Sequence, residues 1–220
     1  MPVQETPIIA EFAKFLGTLA AAFFGAFFAF RFNAHQLKES ERAKNIAAVN
    51  RVLFHLFEQL NTLQLYKRDF LDPVRDHKGR HIALEAMMPG VLTPVTLRLT
   101  EISFLATRKH AQILFDLSVE QSRYDTAMTA VSVFSRIHLD QVQPKMMAMG
   151  ARQGQTVTNV DVENALGDLL HETIRKAAEQ VFYSVDQSVD TLPQVKDRLR
   201  AVALEVYPDA EFINFEAVVD

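Results

Sequence analysis

Residues 15–30 read FLGTLAAAFFGAFFAF, sixteen residues without a charge, bracketed by Lys14 and Arg31. A helix that crosses a bilayer needs about 20 mostly apolar residues. Ile8, Ile9, Ala10, Phe12 and Ala13 extend the run towards the N-terminus, and Phe32 adds one residue at the other end. Only Glu11 and Lys14 interrupt it, and both lie close enough to the end to reach the interface. Eight of the seventeen Phe fall between Phe12 and Phe32, and each favours insertion by roughly 0.3 kcal/mol or more. The stretch therefore reads as a single transmembrane helix.

Three other readings compete with it. A run this short also suits a buried core helix of a soluble domain. A cleaved signal peptide fits poorly, because residues 1–6 carry Glu5 and no basic side chain. An interfacial amphipathic helix needs a charged face, which residues 15–30 lack.

Basic residues near the two ends set the expected orientation. Lys14 stands alone on the N-terminal side, whereas Arg31, Lys38, Arg42, Lys44 and Arg51 follow the run. The N-terminus is then expected outside and the C-terminal domain in the cytoplasm, with the cell inner membrane as the location. The absence of Cys agrees with a reducing compartment. Within the run Gly17, Ala21, Gly25 and Ala29 recur at every fourth position. Small side chains at that spacing share one helix face and let backbones approach in lipid, so these four are the candidate helix-packing residues. Phe23, Phe27 and Phe30 lie to one side of that face.

Beyond Asn33 no helix breaker occurs before Asp72-Pro73, so a helix is expected to leave the membrane and continue. Ile46, Val49, Leu53, Leu56, Leu60 and Leu63 alternate at spacings of three and four, a heptad-like seam that is short for a coiled coil and better suited to packing within the chain. Residues 72–94 hold Pro73, Gly79, Pro89, Gly90 and Pro94 and read as irregular. Thr93-Pro94 has the N-cap and first-turn proline of a helix start, predicting a helix, or two meeting near Thr107–His110, that Pro144 closes. Leu117, Tyr124, Met128 and Val131 follow one face of it, with Phe134 nearby. Residues 145–157 read as a loop carrying Met146, Met147 and Met149.

Thr158 with Asp161 makes a capping box, opening a helix whose stripe is Val162, Leu166, Leu170, Ile174, Ala177, Val181, Val185 and Val189. Thr191 with Gln194 predicts a second capping box and a shorter helix from Pro193 to Val206. The tail with Phe212, Ile213, Phe215, Val218 and Val219 is expected to dock as an extended segment. The expected fold class is all-α, with one N-terminal transmembrane helix continuing into a cytoplasmic helical bundle. Its parts are residues 1–32 (tail and membrane helix), 33–72 (juxtamembrane helix) and 73–220 (the remainder of the bundle).

Without Cys there is no thiol nucleophile and no thiolate metal site. None of the seven Gly falls into a phosphate-cradling or dinucleotide-binding spacing. Asp168-x-x-His171 followed by Glu172 is the nearest approach to a di-iron helix motif and occurs once. No catalytic residue, metal ligand set or cofactor is expected from these patterns. The most suggestive polar cluster is Arg75-Asp76-His77-Lys78-Gly79-Arg80-His81. Arg75, His77, Lys78, Arg80 and His81 make it a candidate anion-binding loop. A solvated surface loop is the plainer alternative, and His77 with His81 and Asp76 would make a thin metal set. A net charge of −4 with interspersed basic residues argues against a nucleic-acid binder. Met87-Met88 and Met146-Met147 offer flexible apolar side chains for an adaptable contact surface.

Three readings follow. The first is a membrane effector or signalling module, with the lipid bilayer and a cytoplasmic protein as partners and a homo-oligomer formed through the membrane helix. The layout of one membrane helix and one helical domain resembles the small membrane effectors of bacterial anti-phage defence modules, including the retron type. That resemblance implies helices that cluster in, and damage, the inner membrane. The second reading is a passive anchor or scaffold for a cytosolic complex. The third is an enzyme with a dispersed site around His77, His81 and His171.

Overall fold

The computed structural model describes residues 6–88, 90–107, 109–150 and 158–214. Among them every regular element is helical, and there is no strand. The chain divides into two compact units, Met1–Ala47 and Ala48–Asp220.

The first unit carries the apolar part of α1 (Thr6–Tyr66). No residue of the 18-residue apolar window in this helix is buried. Phe23 and Phe27 stack with ring centroids 6.5 Å apart, and Arg31 lies 5.9 Å from the Phe27 ring centre. Thr18, the polar side chain in the run, donates its hydroxyl to the Lys14 carbonyl at 2.9 Å and so needs no water.

The second unit has a continuous core. In the C-terminal half of α1, Val49, Val52, Leu53, Leu56, Leu60 and Leu63 are buried. At roughly 1.5–3 kcal/mol for each such side chain, as an upper bound, this stripe is a main source of stability. Val49, Leu53, Leu56, Leu60 and Leu63 of the heptad-like pattern are thus buried within the chain, whereas Ile46 is half-buried. At Lys67–Leu71 the helix widens into a π turn, then tightens into a 3₁₀ turn at Asp72–Val74. Pro73 has no N–H to continue the ladder, so the helix ends there.

After the short helix α2 (Arg80–Ala83), residues 93–98 are not helical, in contrast to the start expected at Thr93-Pro94. Side chains hold this segment instead. Gln59 Nε2 donates to the Val95 carbonyl at 2.8 Å and to Gln121 Oε1 at 2.9 Å. The Leu97 amide donates to the same Gln121 oxygen at 2.8 Å, and the Val95 amide to the Tyr124 hydroxyl at 3.4 Å. These bonds satisfy backbone groups that a helix would have paired internally. A 3₁₀ segment, Leu99–Leu105, follows, and α3 (Ala111–Ile137) begins only after the break near Thr107–His110.

Pro144 does not close the helical run. A π turn at His138–Val142 leads into α4 (Gln143–Ala148), with the proline in its first turn. The wider turn accommodates a ring that an α-turn would press against the residue 140 carbonyl. Residues 145–148, expected in a loop, are therefore helical, while residues 151–157 lie outside the described residues. The capping box at Thr158 and Asp161 forms and opens α5 (Asn159–Leu166). Gly167 then breaks the expected stripe: its φ of 75° is open to glycine and strained for other residues.

The last helix, α6 (Asp168–Val206), runs through Pro193 without interruption. The expected second capping box does not form. Thr191 Oγ1 instead donates to buried Glu120 Oε1 at 2.8 Å, and Gln194 Nε2 to the Asp190 carbonyl at 3.0 Å. Burial of Leu192, Val195, Leu199 and Ala203 continues the apolar face past the proline and offsets the missing backbone bond. Ala178, not Ala177, is the buried alanine of the stripe. Leu117, Tyr124, Met128 and Val131, read as one face of α3, are buried, Phe134 is buried with them, and α3 packs against α6. Phe212 is buried in a segment without regular structure whose Ile213 amide donates to Asn50 Oδ1 at 3.0 Å; Phe215, Val218 and Val219 lie outside the described residues.

Candidate functional site

The basic cluster begins where the 3₁₀ turn ends. His77 donates its amide to the Val74 carbonyl at 3.0 Å, and Arg80 donates to the His77 carbonyl at 3.0 Å. The Gly79 amide donates to His77 Nδ1 at 3.1 Å, so this imidazole braces its own turn. The cluster is thus a compact bend that feeds α2, and buried Leu84 pins its far end.

Its cations divide into two groups. Arg75 makes a bidentate pair with Asp186 of α6, at 2.8 and 2.9 Å, and its Nε donates to Asp72 at 3.1 Å. Lys67 joins the same Asp186 at 2.7 Å. Burial raises the Asp186 pKa, but the bonds from Arg75 and Lys67 outweigh it and hold the carboxyl below the usual range. The Asp186 bonds in turn raise the Arg75 pKa above its ordinary value. This clamp ties the end of α1 to α6 and leaves Arg75 little capacity for another anion.

Lys78 and Arg80 have no ion pair among the described residues. The Arg80 guanidinium lies 4.8 Å from the centre of the buried Phe182 ring, and Arg75 is 5.4 Å from the same ring. Such cation–π contact fixes a guanidinium while leaving its N–H groups free to donate.

His81 meets His171 of α6, with the two Nε2 atoms 3.0 Å apart. One ring must donate Nε2–H, so the accepting ring carries its proton on Nδ1. Burial first, then the charges of His171 and Arg175, lowers the His81 pKa below its ordinary value. Two turns of charge flank the pair: Arg175 binds Glu172 through Nε and Nη2 and Glu179 through Nη1. The bonds to Glu172 from Arg175, then from Lys176, lower the Glu172 pKa to about 2. Between α2 and α6 lies a pocket of about 240 Å³ lined by Lys78, Arg80, His81, Arg175, Ala178 and Glu179.

A larger groove, about 700 Å³, runs along α3 and is bordered by Met87, Met88, Gly90, Leu92 and Pro94. Met87, Met88, Leu92, Met128, Val131 and Leu139 form its apolar wall, and Asp125, Arg136 and Asp140 its polar margin. The Met87 amide donates to Ser135 Oγ at 3.1 Å and anchors the loop over the helix. The Met87-Met88 pair was the sequence signal for this surface; Met128 was legible only as part of the α3 face, and Leu139 carried no signal. Met146 and Met147 belong to α4.

Gly17, Ala21, Gly25 and Ala29 lie exposed on α1, and nothing stands within 4 Å of a Cβ added at Gly17 or Gly25. Among the described residues no three His, Asp or Glu are grouped to hold a metal. His171 and Arg175, brought beside the loop by α6, complete a site that the linear cluster showed only in part. A scan of protein-family models, a search of curated proteins and a search of solved structures each return no match to this chain.

Proposed function

We propose that the protein is a single-pass, membrane-anchored helical effector or signalling protein that acts through protein contacts. The N-terminus lies outside the cell inner membrane, and the C-terminal domain, a helical bundle, lies in the cytoplasm. One observation carries this reading: all eight Phe between Phe12 and Phe32 are exposed on α1. Leaving that much apolar surface in water would cost on the order of 10 kcal/mol, so lipid is its natural solvent.

The membrane helix self-associates through Gly17, Ala21, Gly25 and Ala29, whose face has room for a close neighbour. The methionine-lined groove on α3 supports contact with a cytoplasmic protein, because flexible thioether side chains adapt to a partner's shape. A role in anti-phage defence, implied by the resemblance of layout, belongs to the same proposal.

Expression in a bacterial host tests it. The chain should sediment with membranes and resist carbonate extraction, and overexpression should arrest growth. Gly17→Leu with Gly25→Leu should keep the protein in the membrane and relieve the arrest. An equally toxic double variant would remove helix packing as the mechanism, and a harmless wild type would favour the passive anchor or scaffold.

A further inference from the structure

We infer that the pocket between α2 and α6 is a binding site for a phosphate group, held by Lys78, Arg80 and His81, with His171 bonded to His81 from behind. The charge of the walls is the first reason. Three cations, Lys78, Arg80 and Arg175, face a single carboxylate, Glu179, which is bonded to Arg175. Arg175 is further neutralised by Glu172, so Lys78 and Arg80 supply the uncompensated charge. Their N–H groups are donors without acceptors of their own on α6, and a phosphate brings acceptor oxygens.

Size and rigidity point the same way. About 240 Å³ is room for a phosphate with a few waters, and lies below the roughly 300–1,000 Å³ of pockets that enclose drug-sized ligands. Arg80 is held in place by Phe182 and by its bond to the Arg75 carbonyl at 3.5 Å, so little side-chain freedom is lost on binding. Burial is the first cause of the lowered His81 pKa, and the charges of His171, Arg175 and Arg80 add to it; the two arginines also favour an anion beside the ring. A divalent cation fits the same walls badly: two imidazole nitrogens have no third ligand among the described residues, and Arg80 and Arg175 repel it.

The site is independent of the membrane helix and goes beyond the proposed function. The phosphate can be soluble or part of a lipid headgroup, and one experiment separates the two. The full chain in neutral detergent is titrated with inorganic phosphate at constant ionic strength, and the histidine ring signals are followed by NMR. Saturable shifts of His81 and His171 are expected. The His81 pKa should rise when phosphate is bound, against the background of Lys78, Arg80, His171, Arg175 and Glu179, the charged and titratable groups around it. Lys78 is exposed and makes no ion pair, so Lys78→Ala leaves the fold intact; it should weaken binding about tenfold, and Lys78→Glu should abolish it.

Nanodiscs containing phosphatidic acid supply the second arm. Shifts with free phosphate assign the site to a soluble ligand, and shifts with phosphatidic acid alone assign it to a headgroup; both uphold the pocket. No saturable shift with either, or equal shifts in the Lys78→Glu variant, would overturn it.

Discussion

The Nε2 atoms of His81, in the four-residue helix α2, and His171, in the first turn of α6, stand 3.0 Å apart. A hydrogen bond between two imidazoles requires that the pair hold no more than one extra proton, because two adjacent cations would repel. The contact therefore makes the junction of α2 and α6 sensitive to acid.

Stability should fall as the pH drops below about 6.5. Burial, then His171 and Arg175, lowers the His81 pKa, and burial also lowers that of His138, against its bond to the Ile82 carbonyl. Between the lowered folded value and the ordinary one, the unfolded chain binds more protons than the folded chain. The contribution of neutral histidine is thus complete above the ordinary pKa and lost as pH falls through the folded one. Urea unfolding followed by circular dichroism at pH 7.5 and pH 5 checks this: the midpoint should be lower at pH 5, and His81→Gln and His138→Gln should each flatten the difference.

Asp186→Ala should destabilise the second unit by about 1–2 kcal/mol, after allowing for the partial exposure of the clamp. The change leaves Lys67 and Arg75 without their shared carboxylate. Arg75→Lys keeps the charge but loses the bidentate geometry, and should cost about half as much. Because the Asp186 pKa is depressed, the clamp's contribution is present above the ordinary carboxylate pKa and disappears as pH falls through the folded value. Denaturant titrations of both variants measure it.

Gln121→Leu should release residues 93–98. The Leu97 amide loses its acceptor, and buried Gln59 loses one of its two acceptors. A loss of about 1–3 kcal/mol is expected for stranding such groups. Hydrogen exchange at Val95 and Leu97 should accelerate, while α6 stays protected.

Pro193→Ala should stabilise the chain by about 1–2 kcal/mol, because an alanine N–H can complete the ladder of α6 at the Val189 carbonyl. If a helix instead began at Pro193, the same substitution would remove a favourable first-turn proline and destabilise. The sign of the change in thermal midpoint decides between one helix and two.

Much of the helical content was legible, because buried faces repeat. The stripe from Val49 to Leu63, the face from Leu117 to Phe134 and the capping box at Thr158 each carry a local signal that tertiary packing reinforces. The errors fell where local signals compete with distant ones. Thr93-Pro94 has the chemistry of a helix start, but Gln59, Gln121 and Tyr124 outbid it from far along the chain. Pro193 has the chemistry of a helix boundary, but Glu120 claims the Thr191 hydroxyl and buried leucines carry the helix through. Gly167 was passed over because a single glycine within a stripe is a weak mark, and only its positive φ reveals the break.

The candidate site was half legible for the same reason. Arg75 to His81 stand together in sequence, so their charge was visible. Their division into a clamp, a brace and a pocket depends on Asp186, Phe182, His171 and Arg175, which lie some ninety or more residues away on α6.

The central claim is a membrane helix with the second unit in the cytoplasm. Alkaline phosphatase and green fluorescent protein, fused in separate experiments after Asp220, test it directly, since the first is active only outside and the second fluoresces only inside. A silent phosphatase with a fluorescent, membrane-bound protein is the expected result. An active phosphatase would contradict the orientation, and fluorescence in the soluble fraction would contradict the membrane helix itself.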